Sequence, residues 1–335
     1  MTRSAHRESN FELLRLICML MVLATHAVGY VQYSHLTGTE GYIRLIASQF
    51  CLVCVDVFVM ISGWFGIKAS WKGAANLLFQ VIFCATLCFI VFLAVGLPVS
   101  FRQNLAPYLL FGSGYWFVVS YLVLYALSPV LNSFIKSASK KEFISVIAAF
   151  FLAEFVFGYL LDVGHFDYGF SPLFFIGIYL LARYVKIYPD RCFSLEWYYD
   201  ILIYVAVTAL SILGFIYGYK WFGMGFHLNH YDSPLCLVAS LYFLLFFSKI
   251  NISSKVINWL ASSAFAIYLI HTNNLVLPYF RELFNHISEW FALPARFCIS
   301  ALASLIIAFL CIIADKPRIL LWKWLSTIGI RRSTR

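Results

Sequence analysis

The stretch FELLRLICMLMVLATHA, residues 11–27, carries Glu12, Arg15 and His26 in an otherwise apolar run. Ionisable groups in hydrocarbon are costly and usually face a protein interior or a water-filled cavity. Arginine binds phosphates and carboxylates, and histidine acts as a general base near neutral pH. The stretch therefore has the residue types to bind an anionic substrate at one point and to remove a proton at another.

A helical conformation would place the three ionisable side chains on one face. Eleven positions separate Arg15 from His26, which is about three turns and roughly 16 Å along a helix. Glu12 lies three residues before Arg15, a spacing that allows the two to pair. Two interpretations follow. Either Glu12 neutralises a buried Arg15 and His26 is a core residue that joins two helices, or the face links a cationic inner end to a titratable outer group.

The composition predicts a membrane protein. Of the 335 residues, 62% are hydrophobic and 12% are charged, whereas soluble domains are about 45–50% apolar. The net charge of +9 does not indicate a nucleic-acid partner, because the basic residues lie in short runs between apolar segments. The nine cysteines lie mostly in apolar runs, and the lone CxxC of Cys51 and Cys54 has no second pair. We therefore predict neither a metal site nor a redox site.

The elements that must position these residues are transmembrane helices. We expect an all-α, polytopic fold with one membrane domain over residues 11–314, preceded by a cytoplasmic tail, 1–10. A basic tail, 315–335, is expected to form an interfacial helix, and a short amphipathic piece is expected at 105–111. Apolar runs long enough to cross a bilayer predict ten spans, at about 11–31, 45–67, 75–97, 115–135, 143–161, 170–188, 197–219, 232–248, 256–278 and 294–314.

The distribution of positive charge predicts the orientation. With the N-terminus inside, eighteen lysines and arginines fall in cytoplasmic segments and five fall outside. Cytoplasmic loops of membrane proteins carry the excess of positive charge, so both termini are expected in the cytoplasm. The outer loops mix aromatic residues with His, Asp and Asn, which fits either an interfacial aromatic belt or a surface that stacks on sugars.

Four segments together resemble one known family. The opening stretch resembles the first helix of the membrane acyltransferase-3 family, whose signature is an arginine, ten residues and a histidine. Three further segments are similar to later motifs of that family in the same order: VDVFVMISGWF (55–65), GYWFVVSYLVLYALSPVLN (114–132) and SAFAIYLIHTNN (263–274). One departure is the basic pair usual after the second helix, which is here the wider-spaced Lys68 and Lys72.

The resemblance implies an enzyme of the bacterial inner membrane. It would transfer an acyl group, commonly acetyl, from cytoplasmic acyl-CoA to a hydroxyl of an extracytoplasmic surface glycan. Acyl-CoA would be a substrate rather than a tightly bound cofactor, and the other partners would be the glycan and membrane lipid. On this interpretation His26 is the general base, and Arg15, Lys68 and Lys72 bind the donor.

The remaining candidates would bind the acceptor or support the site: Glu12, Asp56, Ser62, Trp116, His271 and Asn273. Asp56 would either hold the His26 imidazole in one tautomer or make an ordinary buried hydrogen bond. Trp116 would stack on sugar or belong to the aromatic belt. His271 lies at a depth similar to that of His26, so the two are expected to face one cavity unless His271 is structural.

Two other classes of function compete with an acyltransferase. Polar intramembrane residues also mark the substrate pathway of a transporter or flippase, although inverted repeats and Gly- or Pro-broken helix pairs are not evident in the sequence. The third class is a membrane scaffold or sensor without chemistry.

Overall fold

The computed structural model describes residues 8–29, 36, 38–100, 108, 115–161, 163–164, 166–223 and 227–333. Every regular element within these ranges is helical, as the composition predicts. Of the piece expected at 105–111, only residue 108 lies inside the described ranges. The α-helices are α1 Ser9–Val28, α2 Gly38–Cys51, α3 Cys54–Phe65, α4 Trp71–Ala94, α5 Trp116–Ser137, α6 Lys140–Ala153, α7 Pro172–Ile187, α8 Trp197–Phe222, α9 Pro234–Lys249, α10 Lys255–Ala261, α11 Ala264–His271, α12 Val276–Trp290 and α13 Leu293–Ser333.

The chain packs as two compact units, and the single membrane domain expected from the sequence stays a prediction. The first unit is drawn from Met1–Ala69 and Phe117–Asn258, and the second from Ser70–Trp116 and Trp259–Arg335. In the first unit, α3 packs against α1, α7 and α9, and α8 packs against α9. In the second unit, α11 packs against α4 and α13.

The helices are those of a multi-pass membrane protein. Seven helical segments in the described part of the chain are long and apolar enough to cross a bilayer. Helices α7 and α9 coincide with two further expected spans but have only 16 residues each, which is about 24 Å. The count of ten spans and the cytoplasmic location of both termini stay predictions.

Two segments differ from the helices expected in the sequence. The span expected at 256–278 is not one continuous helix: it breaks after His271, and α12 leaves at 88° to the preceding segment. The last span and the basic tail, expected as separate elements, form the single helix α13, which contains Pro317. Proline is tolerated inside membrane helices because neighbouring groups satisfy the backbone that it frees.

The contact between α3 and α7 depends on a glycine. Gly63 lies in the SGW sequence at the end of α3, and a Cβ atom there would lie 2.5 Å from the backbone oxygen of Tyr179 in α7. Small residues at helix interfaces allow backbones to approach this closely. Gly63 therefore fixes the distance between two central helices of the first unit.

Replacing Gly63 with alanine should lower the free energy of unfolding by about 1–3 kcal/mol, because the added methyl forces two backbones apart. Thermal unfolding of the detergent-solubilised protein would measure the change. Gly164→Ala is the matched control, since a Cβ at Gly164 would meet nothing within 4 Å. Equal unfolding temperatures for the two variants would contradict the role given to Gly63.

Candidate active site

Helix α1 carries the ionisable residues of the opening stretch. It runs unbroken from Ser9 to Val28, so Arg15 and His26 lie on one helix with the spacing expected. Asn10 fixes its start in the first unit, because the amide Nδ2 donates to the backbone oxygen of Phe247 at 2.9 Å. His26 lies half-buried in the last turn. The helix therefore holds the two candidate groups about three turns apart.

Glu12 and Arg15 form the ion pair that their spacing predicts. The guanidinium Nη1 of Arg15 donates to Oε1 of Glu12 at 2.8 Å, and 8% of the Glu12 side chain is exposed against 34% of the Arg15 side chain. Because the guanidinium has five N–H donors and Glu12 accepts from Nη1, Arg15 can bind a second anionic or carbonyl group. The buried carboxylate orients the guanidinium, and about a third of the Arg15 side chain stays exposed and can contact a ligand.

A pair of hydroxyl groups joins two of the motif segments near Arg15. The Ser62 hydroxyl of α3 lies 3.0 Å from the Tyr121 hydroxyl of α5. The Tyr121 ring stacks on Phe117 at 5.9 Å, and Phe117 contacts Phe58 of α3 edge-on at 5.7 Å. Tyr121 also interacts electrostatically with Arg15. The sequence analysis missed Tyr121, although it lies one turn after Phe117 in the same motif.

Asp56 of α3 is fully buried and binds α9. Its Oδ2 accepts from the Ser240 hydroxyl at 3.3 Å and contacts the Cys236 sulfur at 3.7 Å. These contacts fasten α3 to α9, and the role of Asp56 toward His26 stays a prediction.

Two basic residues of α7 meet the end of α3. Arg183 donates from Nη1 to the backbone oxygen of Trp64 at 3.1 Å, and the Lys186 amine lies 4.5 Å from the centre of the Trp64 ring. Cations are favoured at helix C-termini because free carbonyl oxygens point out there. The exposed Lys68 follows four residues after Trp64. The first unit thus gathers three cations at the end of α3, two of which the sequence analysis had counted only as topology signals.

The family is shown by comparison with known proteins. A family model described as an acyltransferase domain matches residues 8–313. The chain belongs to the acyltransferase-3 family. No curated protein and no solved structure matches it. The match begins before Arg15 and ends inside α13, so it covers most of both units, and the protein is a membrane acyltransferase.

In the second unit of this acyltransferase, His271 is fully buried at the end of α11. Its Nδ1 lies 2.5 Å from the backbone oxygen of Ile267. A carbonyl oxygen only accepts hydrogen bonds, so Nδ1 carries the hydrogen, and a neutral ring then has its lone pair on Nε2. His271 and His26 belong to different units, so the expectation that they face one cavity stays a prediction.

Asn273 holds the break between α11 and α12. Its Nδ2 donates to the Tyr115 hydroxyl at 3.1 Å, and its Oδ1 accepts from the backbone nitrogen of Leu275 at 3.0 Å. The Tyr115 hydroxyl in turn donates to the backbone oxygen of Leu269 at 2.7 Å. Asn273 therefore satisfies backbone groups that the break leaves unpaired, which is a positioning role for the segment that carries His271.

Trp116 and Lys72 also belong to the second unit. Trp116 is the half-buried first residue of α5, and Lys72 is exposed at the start of α4. The sugar contact considered for Trp116 and the donor contact considered for Lys72 stay predictions.

Proposed function

We propose that the protein transfers an acyl group, most simply acetyl, from cytoplasmic acyl-CoA to a hydroxyl group of a surface glycan or its lipid-linked precursor. The proposal places it in a bacterial inner membrane. The observation that carries it is helix α1, which holds the Glu12–Arg15 pair near one end and His26 in its last turn. Membership of the acyltransferase-3 family supports the same reaction class.

The donor would bind first at the inner end of α1. The exposed part of Arg15 and the hydroxyls of Ser62 and Tyr121 can hydrogen-bond to the thioester arm of coenzyme A. Its phosphates would be attracted by Lys68 and Lys186 at the end of α3, since lysine binds phosphate as a point charge. The roughly 16 Å between Arg15 and His26 is comparable with an extended pantetheine arm, so one donor can reach both levels.

His26 would then activate the acceptor. A sugar hydroxyl is a poor nucleophile at neutral pH, and an imidazole can take its proton as the oxygen attacks the thioester carbonyl. The ester C–O bond forms, the C–S bond breaks, and the proton passes from His26 to the sulfur of the leaving coenzyme A. The reaction consumes no net proton and needs no metal ligand from the chain.

The direct test uses purified protein and labelled acetyl-CoA. We expect saturable binding of the donor, together with slow hydrolysis or transfer of the label to an added glycan. Competition with succinyl-CoA would test the choice of acetyl. If succinyl-CoA binds more tightly than acetyl-CoA, the transferred group is succinyl rather than acetyl. Absence of both binding and turnover would contradict the proposal and favour a transporter or a scaffold.

The double variant Lys68→Ala/Lys186→Ala should raise the apparent KM for acetyl-CoA, and more so at low salt, because exposed charge contacts are modest and screened. Steady-state kinetics at two ionic strengths would measure the change. The double variant Lys136→Ala/Lys141→Ala, which removes the same charge from exposed positions on other helices, is the control. An unchanged KM at both ionic strengths would remove Lys68 and Lys186 from the donor site.

A further inference from the structure

A second polar cluster lies in the first unit, at the end of the α6 span away from Lys140. Its centre is Glu154, which begins a π-helical segment, Glu154–Leu160. The residue is 2% exposed, and neither oxygen of its carboxylate has a hydrogen-bond partner among the described residues. A buried acid without a partner is costly, and π-helical turns often occur at functional sites. The free-energy cost of burying Glu154 without a hydrogen-bond partner indicates that its carboxyl group binds a ligand.

The carboxyl group of Glu154 packs closely against its own π-helical segment, where only a glycine fits at position 158. A Cβ atom on Gly158 would lie 3.3 Å from Oε1 of Glu154 and 3.0 Å from the Cβ of Phe166. A second acid, the buried Asp232, interacts electrostatically with Glu154. Carboxyl oxygens accept hydrogen bonds and a protonated carboxyl also donates one, so hydroxyl groups, which do both, can pair with these acids.

Aromatic rings from two loops stand beside these acids. The Tyr168 ring lies 4.3 Å from the ring of His230 and 6.2 Å from that of His227. The His227 ring in turn lies 6.1 Å from that of Tyr159. Tyr168 and His227 both have positive φ angles, 54° and 53°, which non-glycine residues rarely adopt. The loops thus hold these rings in one cluster, in which Tyr159 interacts electrostatically with Asp232.

We propose that this Glu154 cluster, made of Glu154, Tyr159, Tyr168, His227, His230 and Asp232, is a sugar-binding subsite for the glycan acceptor. The carboxylates accept from sugar hydroxyls, and the rings pack on the apolar face of the pyranose. No group of three or more potential metal ligands occurs in the described ranges, which favours hydroxyl groups over a divalent ion. The inference rests on the proposed function, because it assigns the part of the site that selects the acceptor.

The test is Glu154→Gln, with methyl glucopyranoside, galactopyranoside and mannopyranoside as probes. Saturation-transfer-difference NMR on the full-length protein would measure binding of each sugar. The variant should bind the best probe about tenfold more weakly, since one carboxyl oxygen becomes an NH2 group and a hydrogen bond to the sugar is lost, and should bind acetyl-CoA normally. Its unfolding temperature should change little, because the amide has nearly the shape of the carboxyl group it replaces. Glu282→Gln, on an exposed side chain of α12, is the control.

The outcomes separate the inference from the proposed function. If the wild-type protein binds none of the three sugars, or if Glu154→Gln binds them unchanged, the subsite is wrong. A lower unfolding temperature with unchanged sugar affinity would instead make Glu154 structural. Asp232→Asn should show the same loss of sugar affinity, and it replaces Glu154→Gln in the test if that variant does not fold. Failure of the wild type to bind acetyl-CoA would count against the acyl-CoA donor alone.

Discussion

Replacing His26 with alanine should lower acyl transfer by about 10²–10⁴-fold, which is the usual contribution of a general base, while acetyl-CoA still binds. Under the proposed function, the imidazole acts on the acceptor hydroxyl, whereas the donor is held mainly at the other end of α1. Its half-buried place in the last turn also makes a severe loss of packing on substitution unexpected.

The measurement needs both steps on the same folded preparation. Acetyl-CoA binding and acetyl transfer would be followed side by side for the wild type and the variant. His286→Ala provides a control, because His286 is a half-exposed histidine on α12 with no role in the proposed chemistry. Near-normal transfer by His26→Ala, or a loss of activity explained by unfolding, would make His26 a core residue.

Replacing Arg15 with alanine should weaken donor binding by about 10–100-fold, because a charge-assisted contact is removed. It should also destabilise the protein by about 1–3 kcal/mol, since the buried Glu12 carboxylate loses its partner. This loss of stability is smaller than that expected for a fully buried ion pair, because a third of the Arg15 side chain is exposed.

A double variant separates these two effects. Arg15→Ala/Glu12→Gln removes the unpaired charge and should recover most of the lost stability, but donor binding should stay weak. Thermal unfolding and acetyl-CoA titration of the wild type, both single variants and the double variant give the full cycle. If the double variant recovers donor binding together with stability, Arg15 serves only to neutralise Glu12.

The local features of α1 were predictable from the sequence. The Glu12–Arg15 pair follows from a spacing of three on a helix, and the common helix of Arg15 and His26 follows from the length of the apolar run. Both depend on contacts or distances along one segment, which periodicity determines. The family motifs identified the order of the segments along the chain, but they did not predict which side chains contact one another.

The features missed are those that depend on contacts between segments. In the sequence, Arg183 and Lys186 cannot be told from the basic residues of any loop. Only the packing of α7 on α3 brings them to Trp64. The break after His271, at residues 272–275, contains neither glycine nor proline. The Asn273 side chain accepts from the nitrogen of Leu275, and the Tyr115 hydroxyl donates to the backbone oxygen of Leu269. Composition therefore predicted a continuous span where the chain turns sharply.

The unbroken course of α1 has a consequence for substrate choice. The segment from Ser9 to Val28 contains neither glycine nor proline, so the helix between Arg15 and His26 has no built-in hinge. Under the proposed function, α1 sets a fixed distance between Arg15, which binds the thioester arm of the donor, and His26, which acts at its reactive carbonyl carbon. The length of the carrier arm, rather than the identity of the acyl group, would then decide which thioesters reach the base.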